Sequence, residues 1–289
     1  MMEASNYQYT VISDLDFARF RDLIYDECGI NLIPAKKNML SSRLRKRLRT
    51  LGMGSFKQYY DFVSSAEGRS NEITHMLDAV STNKTDFFRE SKHFEYLEKE
   101  ALPGMIRSGR WRPGRRLNVW SAGCSSGEEP YTIAMVLSEV ASGKSVGDFS
   151  VFASDISTRM LEIARRGIYP NNSADPLPSA FRRKYLMRGK GSQTGFTRIV
   201  PELRERLQFQ RINLNNGRNF GIKTRMDIIF CRNVIIYFDR ETQKKLFEKF
   251  YEQLVPGGYL FIGHSESLHG INDRFKSVKT ATYRKPTIG

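Results

Sequence analysis

The most informative stretch of the chain reads Val119-Trp120-Ser121-Ala122-Gly123-Cys124-Ser125-Ser126-Gly127-Glu128-Glu129-Pro130-Tyr131. Its apolar start predicts a buried strand, which runs into a glycine-containing turn and then into an acidic helix start. Open α/β sheets hold small ligands at such turns, because glycines let the backbone approach and the helix presents free N–H groups. Two glutamates at the helix mouth favour a ligand that bears positive charge. The G-x-x-x-G spacing is not the dinucleotide fingerprint, so an ordinary tight turn remains the alternative.

The length, composition and charge of the chain limit which classes of protein it can belong to. The 289 residues are 40% hydrophobic, which suffices for one large domain or two ordinary ones. The 46 Lys and Arg residues against 31 Asp and Glu residues give a charge of +15, so we expect an acidic partner: nucleic acid, a membrane surface or an acidic protein. Cys28, Cys124 and Cys231 lack metal or disulfide spacing, which fits a reducing compartment without a zinc site. With no signal peptide or long apolar run, the sequence predicts a soluble cytoplasmic protein.

The first 90 residues or so predict only helices. Ser13 is a helix-start signal before the apolar stripe Phe17, Phe20 and Ile24, and a second helix follows Pro34. A third helix is expected after Ser55, and a fourth over 73–80. We therefore predict a small helical bundle over residues 1–90.

Residues 91–289 show apolar runs that alternate with helical patterns, which is the signature of a doubly wound parallel sheet. Predicted strands cover 117–122, 149–154, 207–211, 226–231 and 259–263. Predicted helices cover 131–140, 160–166 and 241–254. The rhythm breaks after Pro170, and a small antiparallel β insertion is predicted at about 185–208.

Several polar residues stand where predicted strands end. Asp155 follows the second strand, where an acid accepts the hydroxyls of a ribose; the alternative is a helix N-cap. Asn213 and Asn233 follow the next two strands and suit an adenine edge, or merely end those strands. Tyr237 is either a core tyrosine or a phenol that lines a reaction site. Arg89 suits a carboxylate, with a solvated linker as the alternative.

These residues occur within strings that resemble one family. The strings are Thr82-Asn83-x-Thr85-x-Phe87-Phe88-Arg89, Trp120-Ser121-Ala122 through Gly127-Glu128-Glu129-Pro130-Tyr131, Phe152-Ala153-Ser154-Asp155-Ile156, Phe230-Cys231-Arg232-Asn233-Val234-x-Ile236-Tyr237-Phe238 and Gly263-His264-Ser265-Glu266. In this order they closely resemble the bacterial chemoreceptor glutamate methyltransferases, the CheR family, from about Phe17 to Tyr283. The resemblance implies a class I methyltransferase (Rossmann-like) α/β fold with a small N-terminal all-α domain.

The resemblance also implies S-adenosylmethionine as cofactor, S-adenosylhomocysteine as product and methyl esters of receptor glutamates as the outcome. The implied cofactor residues are Asn83, Thr85, Arg89, Gly123, Glu129, Asp155, Asn213, Leu214, Arg232 and Asn233. Arg89 and Tyr237 match the positions nearest the transferred methyl group. No general base is needed, because a glutamate is already ionised near neutral pH. The four histidines therefore need no catalytic role, and we predict no metal. Gly263-His264-Ser265-Glu266-Ser267 lacks the final glycine of a hydrolase elbow.

The second predicted helix is strongly basic. Its leucines form a core stripe, and the remaining surface carries Arg43, Arg45, Lys46, Arg47 and Arg49. A solvated face is the plain interpretation, whereas the resemblance implies docking to acidic receptor helices. The β insertion resembles the subdomain that in some members of the family tethers the enzyme to a receptor's C-terminal tail; a stabilising flap is the alternative. We expect a monomer located at receptor arrays, without membrane insertion or nucleic-acid binding. The alternatives are an RNA or DNA methyltransferase and a non-catalytic, cofactor-loaded adaptor of receptors.

Overall fold

The computed structural model describes residues 11–217 and 219–287. The chain forms two compact units. The first runs up to Thr82 and includes Tyr237–Asp239, and the second comprises the described residues of 83–236 and of 240–287. Among the described residues, no helix combines the length and the apolar character that crossing a bilayer requires. Cys28, Cys124 and Cys231 are all buried free thiols.

The first unit is helical, as predicted. Its helices are α1 (Asp14–Cys28), α2 (Lys37–Leu51), α3 (Phe56–Ser64), α4 (Ala66–Asn71) and α5 (Ile73–Val80), with a 3₁₀ turn at Pro34–Lys36. The Ser13 side chain caps α1 by accepting the N–H of Asp16. The short helix α4 was not predicted. Ser65 caps it directly after α3 by accepting the N–H of Gly68. Only glycine fits at position 68, because a Cβ there would lie 2.0 Å from the Phe62 carbonyl oxygen.

The second unit begins with a helix that the sequence analysis missed. It consists of α6 (Lys92–Tyr96), a π-helical turn (Leu97–Ala101) and α7 (Leu102–Arg107). The ladder is irregular where Pro103, which lacks an N–H group, enters α7. The later helices are α8 (Glu128–Ala141), α9 (Thr158–Arg166), α10 (Ser179–Tyr185), α11 (Pro201–Arg204) and α12 (Arg240–Gln253).

Within the described part of this unit, ten strands form two sheets. They are β1 (Leu117–Ala122), β2 (Phe149–Asp155), β3 (Ile168–Pro170), β4 (Leu186–Arg188), β5 (Phe196–Ile199), β6 (Leu207–Arg211), β7 (Met226–Cys231), β8 (Leu254–Ile262), β9 (Lys276–Lys279) and β10 (Thr282–Arg284). The large sheet has the order β6-β2-β1-β7-β8-β10-β9. The five neighbouring strands β6, β2, β1, β7 and β8 are parallel, which confirms the doubly wound α/β prediction.

Two parts of the sheets differ from expectation. The antiparallel strands β9 and β10 were not predicted, because β9 is exposed on both faces and has no alternating apolar pattern. The small sheet β3-β5-β4 begins at Ile168, whereas the insertion was predicted to begin at about residue 185. The difference arises because β3, which precedes α10 in the chain, pairs with β5, which follows it. Pro170 lies on an edge strand of that sheet, where a missing N–H is tolerated.

The order of the strands fixes where a ligand site is expected. From β1 the chain moves outward to β2 and β6, and then crosses back to place β7 on the other side of β1. Ligands bind in open α/β sheets beyond the carboxyl ends of strands at such a reversal. The core below this edge is aromatic: Phe230 on β7 stacks on Phe261 of β8 with ring centroids 4.3 Å apart.

Candidate functional site

The turn after β1 has three residues with positive φ: Gly123 (84°), Ser125 (48°) and Gly127 (100°). Both glycines are also required by close packing within the protein. A Cβ on Gly123 would lie 2.4 Å from Cγ2 of Val234, and one on Gly127 would lie 2.8 Å from Cβ of Ala164. The turn therefore joins the loop after β7 to helix α9, in addition to opening the N-terminus of α8.

Asp155 is the buried acid at the end of β2. Its Oδ2 accepts the N–H of Ser125 at 2.8 Å, and its Oδ1 accepts the N–H of Ser157 at 2.9 Å. The N-cap of α9 is Ser157, whose hydroxyl accepts the N–H of Met160. The alternative that Asp155 serves as the helix cap is therefore wrong, and its carboxylate instead joins the first two strand-end loops.

Glu129 and Arg232 form an ion pair at the carboxyl ends of β1 and β7. Oε2 of Glu129 accepts from Nη1 of Arg232 at 3.1 Å, and Oε1 accepts from the Ser121 hydroxyl at 2.7 Å. Burial raises the pKa of Glu129, and Arg232 and Ser121 oppose that shift. The Arg232 side chain is only 2% exposed, so the pair holds its geometry inside the protein.

Arg89 is held between two loops by its guanidinium. Nη1 donates to the Lys84 carbonyl at 2.7 Å, and Nη2 donates to Oδ1 of Asn233 at 2.9 Å. The neighbours of Arg89 on both sides, Phe88 and Glu90, have positive φ values of 53° and 57°, which non-glycine residues adopt rarely. With this backbone, the Arg89 side chain bridges Lys84 and the loop after β7.

Other predicted residues near Arg89 join the same region through the first turn. The Asn83 carbonyl accepts from the Ser125 hydroxyl at 2.8 Å, and Thr85 is half-buried in the same segment. Asn213 and Leu214 follow β6, where Oδ1 of Asn213 accepts the N–H of Asn215 in a local turn. Leu214 is buried, and its carbonyl accepts from Nζ of Lys249.

Two acids that the sequence analysis left unassigned connect these groups. Oε2 of Glu90 accepts from Nη2 of Arg232 at 2.9 Å, and its Oε1 accepts from the Asn233 amide at 3.3 Å. Although burial acts to raise it, the pKa of Glu90 lies below its ordinary value because Arg232 stabilises the charge. Glu266 accepts the backbone N–H groups of Asn233 and Ile235. The string Gly263 to Glu266 was noticed in the sequence, but nothing in it indicated these partners.

Glu90, His93 and His264 have ligand atoms within 4.8 Å of one another. The ring nitrogens of the buried His93 make no hydrogen bond of good geometry within residues 11–217 and 219–287. Burial and the charge of Arg232 lower the pKa of His93 to about 3, so the same positive field opposes a cation there. Because Glu90 already accepts from Arg232, Asn233 and the N–H of His264, we assign no metal to this group.

The remaining predicted residues belong to the helical unit. The Tyr237 carbonyl accepts the N–H of Asn31 at 2.8 Å. On α2, Arg43 donates to the carbonyls of Val80 and Ser81 and so caps α5.

Arg47 makes two 2.7 Å hydrogen bonds to the buried Glu72. Arg45 is half-buried, whereas Lys46 and Arg49 are exposed. The basic run is therefore only in part a solvated face.

Two family models match the chain. One is described as CheR methyltransferase, SAM binding domain, and matches residues 83–284; the other, CheR methyltransferase, all-alpha domain, matches residues 15–81. A chemotaxis protein methyltransferase of Escherichia coli (strain K12) is 40% identical over 264 residues, which cover 91% of this chain and 88% of that protein. One of Borreliella burgdorferi is 38% identical over 271 residues, with 93% and 94% covered. The cofactor of the matching domain is S-adenosylmethionine.

The side chains at the carboxyl edge of the sheet have the chemical groups that this cofactor requires. A ribose diol needs an acceptor at the end of β2, and Asp155 supplies a carboxylate there. An α-ammonium group needs an acid and an α-carboxylate needs a cation, and Glu129 and Arg89 are side chains of these two kinds. The acids Glu129 and Asp155 at this edge favour a ligand that bears positive charge, such as a sulfonium.

Proposed function

The chain belongs to the CheR family of methyltransferases, and from this membership we propose that it esterifies glutamate side chains of chemotaxis receptors. The observation that carries the proposal is the convergence of Arg89, Glu129, Arg232 and Asn233 at the carboxyl ends of β1 and β7. The charges of this cluster are complementary to the ammonium and carboxylate groups of an amino-acid moiety. The relatives, which are named as chemotaxis protein methyltransferases, support the same proposal.

The proposed cofactor contacts follow the sequence prediction. Asp155 accepts the ribose hydroxyls, Glu129 accepts the ammonium group and Arg89 binds the carboxylate of S-adenosylmethionine. Asn213 and Leu214 after β6 contact the adenine. Supporting positions are Asn83, Thr85, Gly123, Arg232 and Asn233. Since Asp155 and Ser125 already share a hydrogen bond, the ribose acid is preorganised before the cofactor binds.

Bound S-adenosylmethionine supplies an electrophilic methyl group whose leaving group is a neutral thioether. The substrate glutamate is ionised near neutral pH, so the protein provides no base. Its task is to align the carboxylate with the methyl group and to exclude water, because both reacting groups are charged and strongly hydrated. We assign this alignment to Arg89 and Tyr237. No protonation change of either residue is required.

The partner is proposed to be the acidic methylation region of receptor cytoplasmic helices, bound by the helical unit while the protein acts as a monomer at receptor arrays. Exposed cations on α2 attract such a surface and speed encounter. The contacts of Arg43 and Arg47 reassign the docking residues. Those two arginines stabilise the helical unit itself, so Lys46 and Arg49 are the proposed contacts with the partner.

The small sheet offers a second proposed contact. Strand β4 is an edge strand, and Met187 on it is 40% exposed. An extended receptor tail can add to such an edge through backbone hydrogen bonds. This strand-addition surface is proposed as the tether to a receptor's C-terminal tail.

The test uses methyl-labelled S-adenosylmethionine with receptor-containing membranes and, separately, with RNA. We expect label on membrane protein that mild alkali releases, since carboxyl esters hydrolyse and N-methyl groups do not. Alkali-stable label on RNA would replace the proposal with a nucleic-acid methyltransferase. Cofactor binding without transfer to either substrate would indicate an adaptor.

A further inference from the structure

Glu266, in the loop after β8, accepts an unusual number of backbone donors. Its Oε2 accepts the N–H groups of Gly263 at 2.5 Å and Asn233 at 3.1 Å. Its Oε1 accepts those of Ile235 at 2.9 Å and Ile236 at 3.3 Å. Burial raises the pKa of Glu266, and these four donors oppose the shift. One carboxylate thus accepts the backbone N–H groups of Asn233, Ile235 and Ile236 in the turn that follows β7, together with that of Gly263.

The turn held by Glu266 carries groups of the proposed site. Asn233 has a φ of 58°, and its side chain bonds both Arg89 and Glu90. Val234 packs against Gly123, closely enough that a Cβ at Gly123 would lie 2.4 Å from it. The next residue after Ile236 is Tyr237. A shift of this turn therefore moves Asn233 and Val234 together.

Gly263 supplies a second observation on the same contact. A Cβ there would lie 2.9 Å from the Asn233 nitrogen and 2.9 Å from Oε2 of Glu266. Real Cβ atoms do not approach backbone this closely, so only glycine lets the loops after β7 and β8 meet around the carboxylate. The two loops are therefore matched to one another through Gly263 and Glu266.

We infer that Glu266 is a positioning residue for methyl transfer, which acts by fixing the 233–236 turn and not by contact with cofactor or substrate. This inference rests on the proposed function. The strain of a non-glycine residue at positive φ persists only where surrounding contacts hold it, and Glu266 supplies the backbone contact at Asn233. Positioning errors of about 1 Å cost roughly 100-fold in rate, so a loosened turn should affect turnover before it affects folding.

The decisive variant is Glu266→Gln, which keeps the shape but turns an NH₂ donor toward two of the four backbone donors. Gly263→Ala displaces the carboxylate without removing it, so it tests the same contact if Glu266→Gln does not fold. Glu241→Gln, an exposed acid at the start of α12, is the matched control. Four properties are measured on the full chain: the melting curve, the affinity for S-adenosylmethionine, the amide exchange of residues 233–236 and the rate of single-turnover methyl transfer to receptor membranes.

We expect Glu266→Gln and Gly263→Ala to lower turnover at least about tenfold, to change cofactor affinity by less than about threefold, and to speed exchange at 233–236. Wild-type turnover and wild-type exchange in Glu266→Gln would overturn the inference. A purely structural role would lower the melting temperature without this split between turnover and affinity. If the wild-type protein itself labels no receptor, the proposed function fails, and the exchange data still decide whether Glu266 fixes the turn.

Discussion

Nη2 of Arg89 donates to Oδ1 of Asn233 at 2.9 Å, which joins residues that lie 144 positions apart in the sequence. The bond ties the segment before α6 to the loop after β7. Since Nη1 of Arg89 also holds the Lys84 carbonyl, the guanidinium uses its fork of donors to set the distance between two loops.

Replacement of Arg89 by lysine should weaken the site, because an ammonium group cannot make both hydrogen bonds in the same plane. We expect the Kd for S-adenosylmethionine to rise about tenfold, equivalent to roughly 1.4 kcal/mol. Titration calorimetry measures the change, with the exposed Arg112→Lys as the control. Unchanged affinity and turnover would remove Arg89 from the proposed cofactor site.

Asp155→Asn should reduce cofactor affinity and also lower stability. The amide keeps one acceptor oxygen for the N–H of Ser125 or of Ser157 but turns its NH₂ toward the other, and it removes the charge proposed to bind a ribose diol. A rise in Kd of about 10- to 100-fold is expected. Ser157→Ala removes the neighbouring cap of α9, at a cost of about 1 kcal/mol. It should leave the Kd unchanged; equal effects of the two variants on Kd would argue against the ribose role.

Glu128 predicts a specific dependence of stability on pH. Burial raises the pKa of this carboxyl from 4.5 to about 7 in the folded protein. The folded state therefore binds more protons than the unfolded state between these values, and the contribution of Glu128 to stability falls as the pH rises from 4.5 to 7. Glu128→Gln should raise the free energy of unfolding at pH 8 by about 3 kcal/mol and have a much smaller effect near pH 4.5.

Denaturant unfolding of Glu128→Gln at a series of pH values makes this measurement. The exposed Glu241→Gln serves as the control and should leave the pH profile unchanged. If the free energies of unfolding of Glu128→Gln and the wild-type protein change in parallel with pH, ionisation of Glu128 does not destabilise the folded state and the prediction is wrong.

Arg47→Ala should destabilise the helical unit. Glu72 is buried and accepts from Arg47 twice and from the Tyr59 hydroxyl, so the loss of Arg47 leaves a buried charge without its counter-ion. Breaking such a pair costs about 3 kcal/mol or more. The neighbouring exposed Lys46→Ala should stay within about 0.5 kcal/mol of the wild-type protein. Urea denaturation followed by the helical circular dichroism signal compares them, and similar midpoints would contradict the pairing.

Charge reversal at the exposed positions of α2 tests receptor docking. Lys46→Glu combined with Arg49→Glu should slow methylation of receptor membranes several-fold at low salt and make the remaining rate less sensitive to salt. The cofactor Kd should not change. If the rate at low salt equals that of the wild-type protein, the basic face of α2 has no part in docking.

The fold was largely predictable because its strongest signals are local. Strands β1, β6 and β7 lie at their predicted positions. Strands β1 and β7 are buried on both faces and leave nearly uninterrupted hydrophobic sequence, whereas the edge strand β6 alternates apolar and polar residues. Strand β8 instead begins at Leu254, five residues before the predicted start, because a register shift near Met226 admits Pro256 and two glycines. Strand β9 was not predicted because none of its side chains is buried, so its sequence shows no strand pattern.

The candidate site was predictable only at the ends of strands. Asp155 and Asn233 could be placed because each follows an apolar run, and the sheet brings those ends together. The roles of Glu90 and Glu266 depend on positive-φ backbone and on partners more than 30 residues away, which no local pattern encodes. Arg47 was interpreted as surface charge for the same reason, since Glu72 lies on another helix.

The central claim is transfer of a methyl group to receptor carboxylates. Its most direct test is incubation of purified protein with methyl-deuterated S-adenosylmethionine and receptor-containing membranes, followed by tandem mass spectrometry of the receptor peptides. The account predicts deuterated methyl esters on glutamate side chains of receptor helices, absent when the protein is omitted and strongly reduced with Asp155→Asn. Deuterated methyl groups on lysine, arginine or nucleic acid, with none on glutamate, would contradict it.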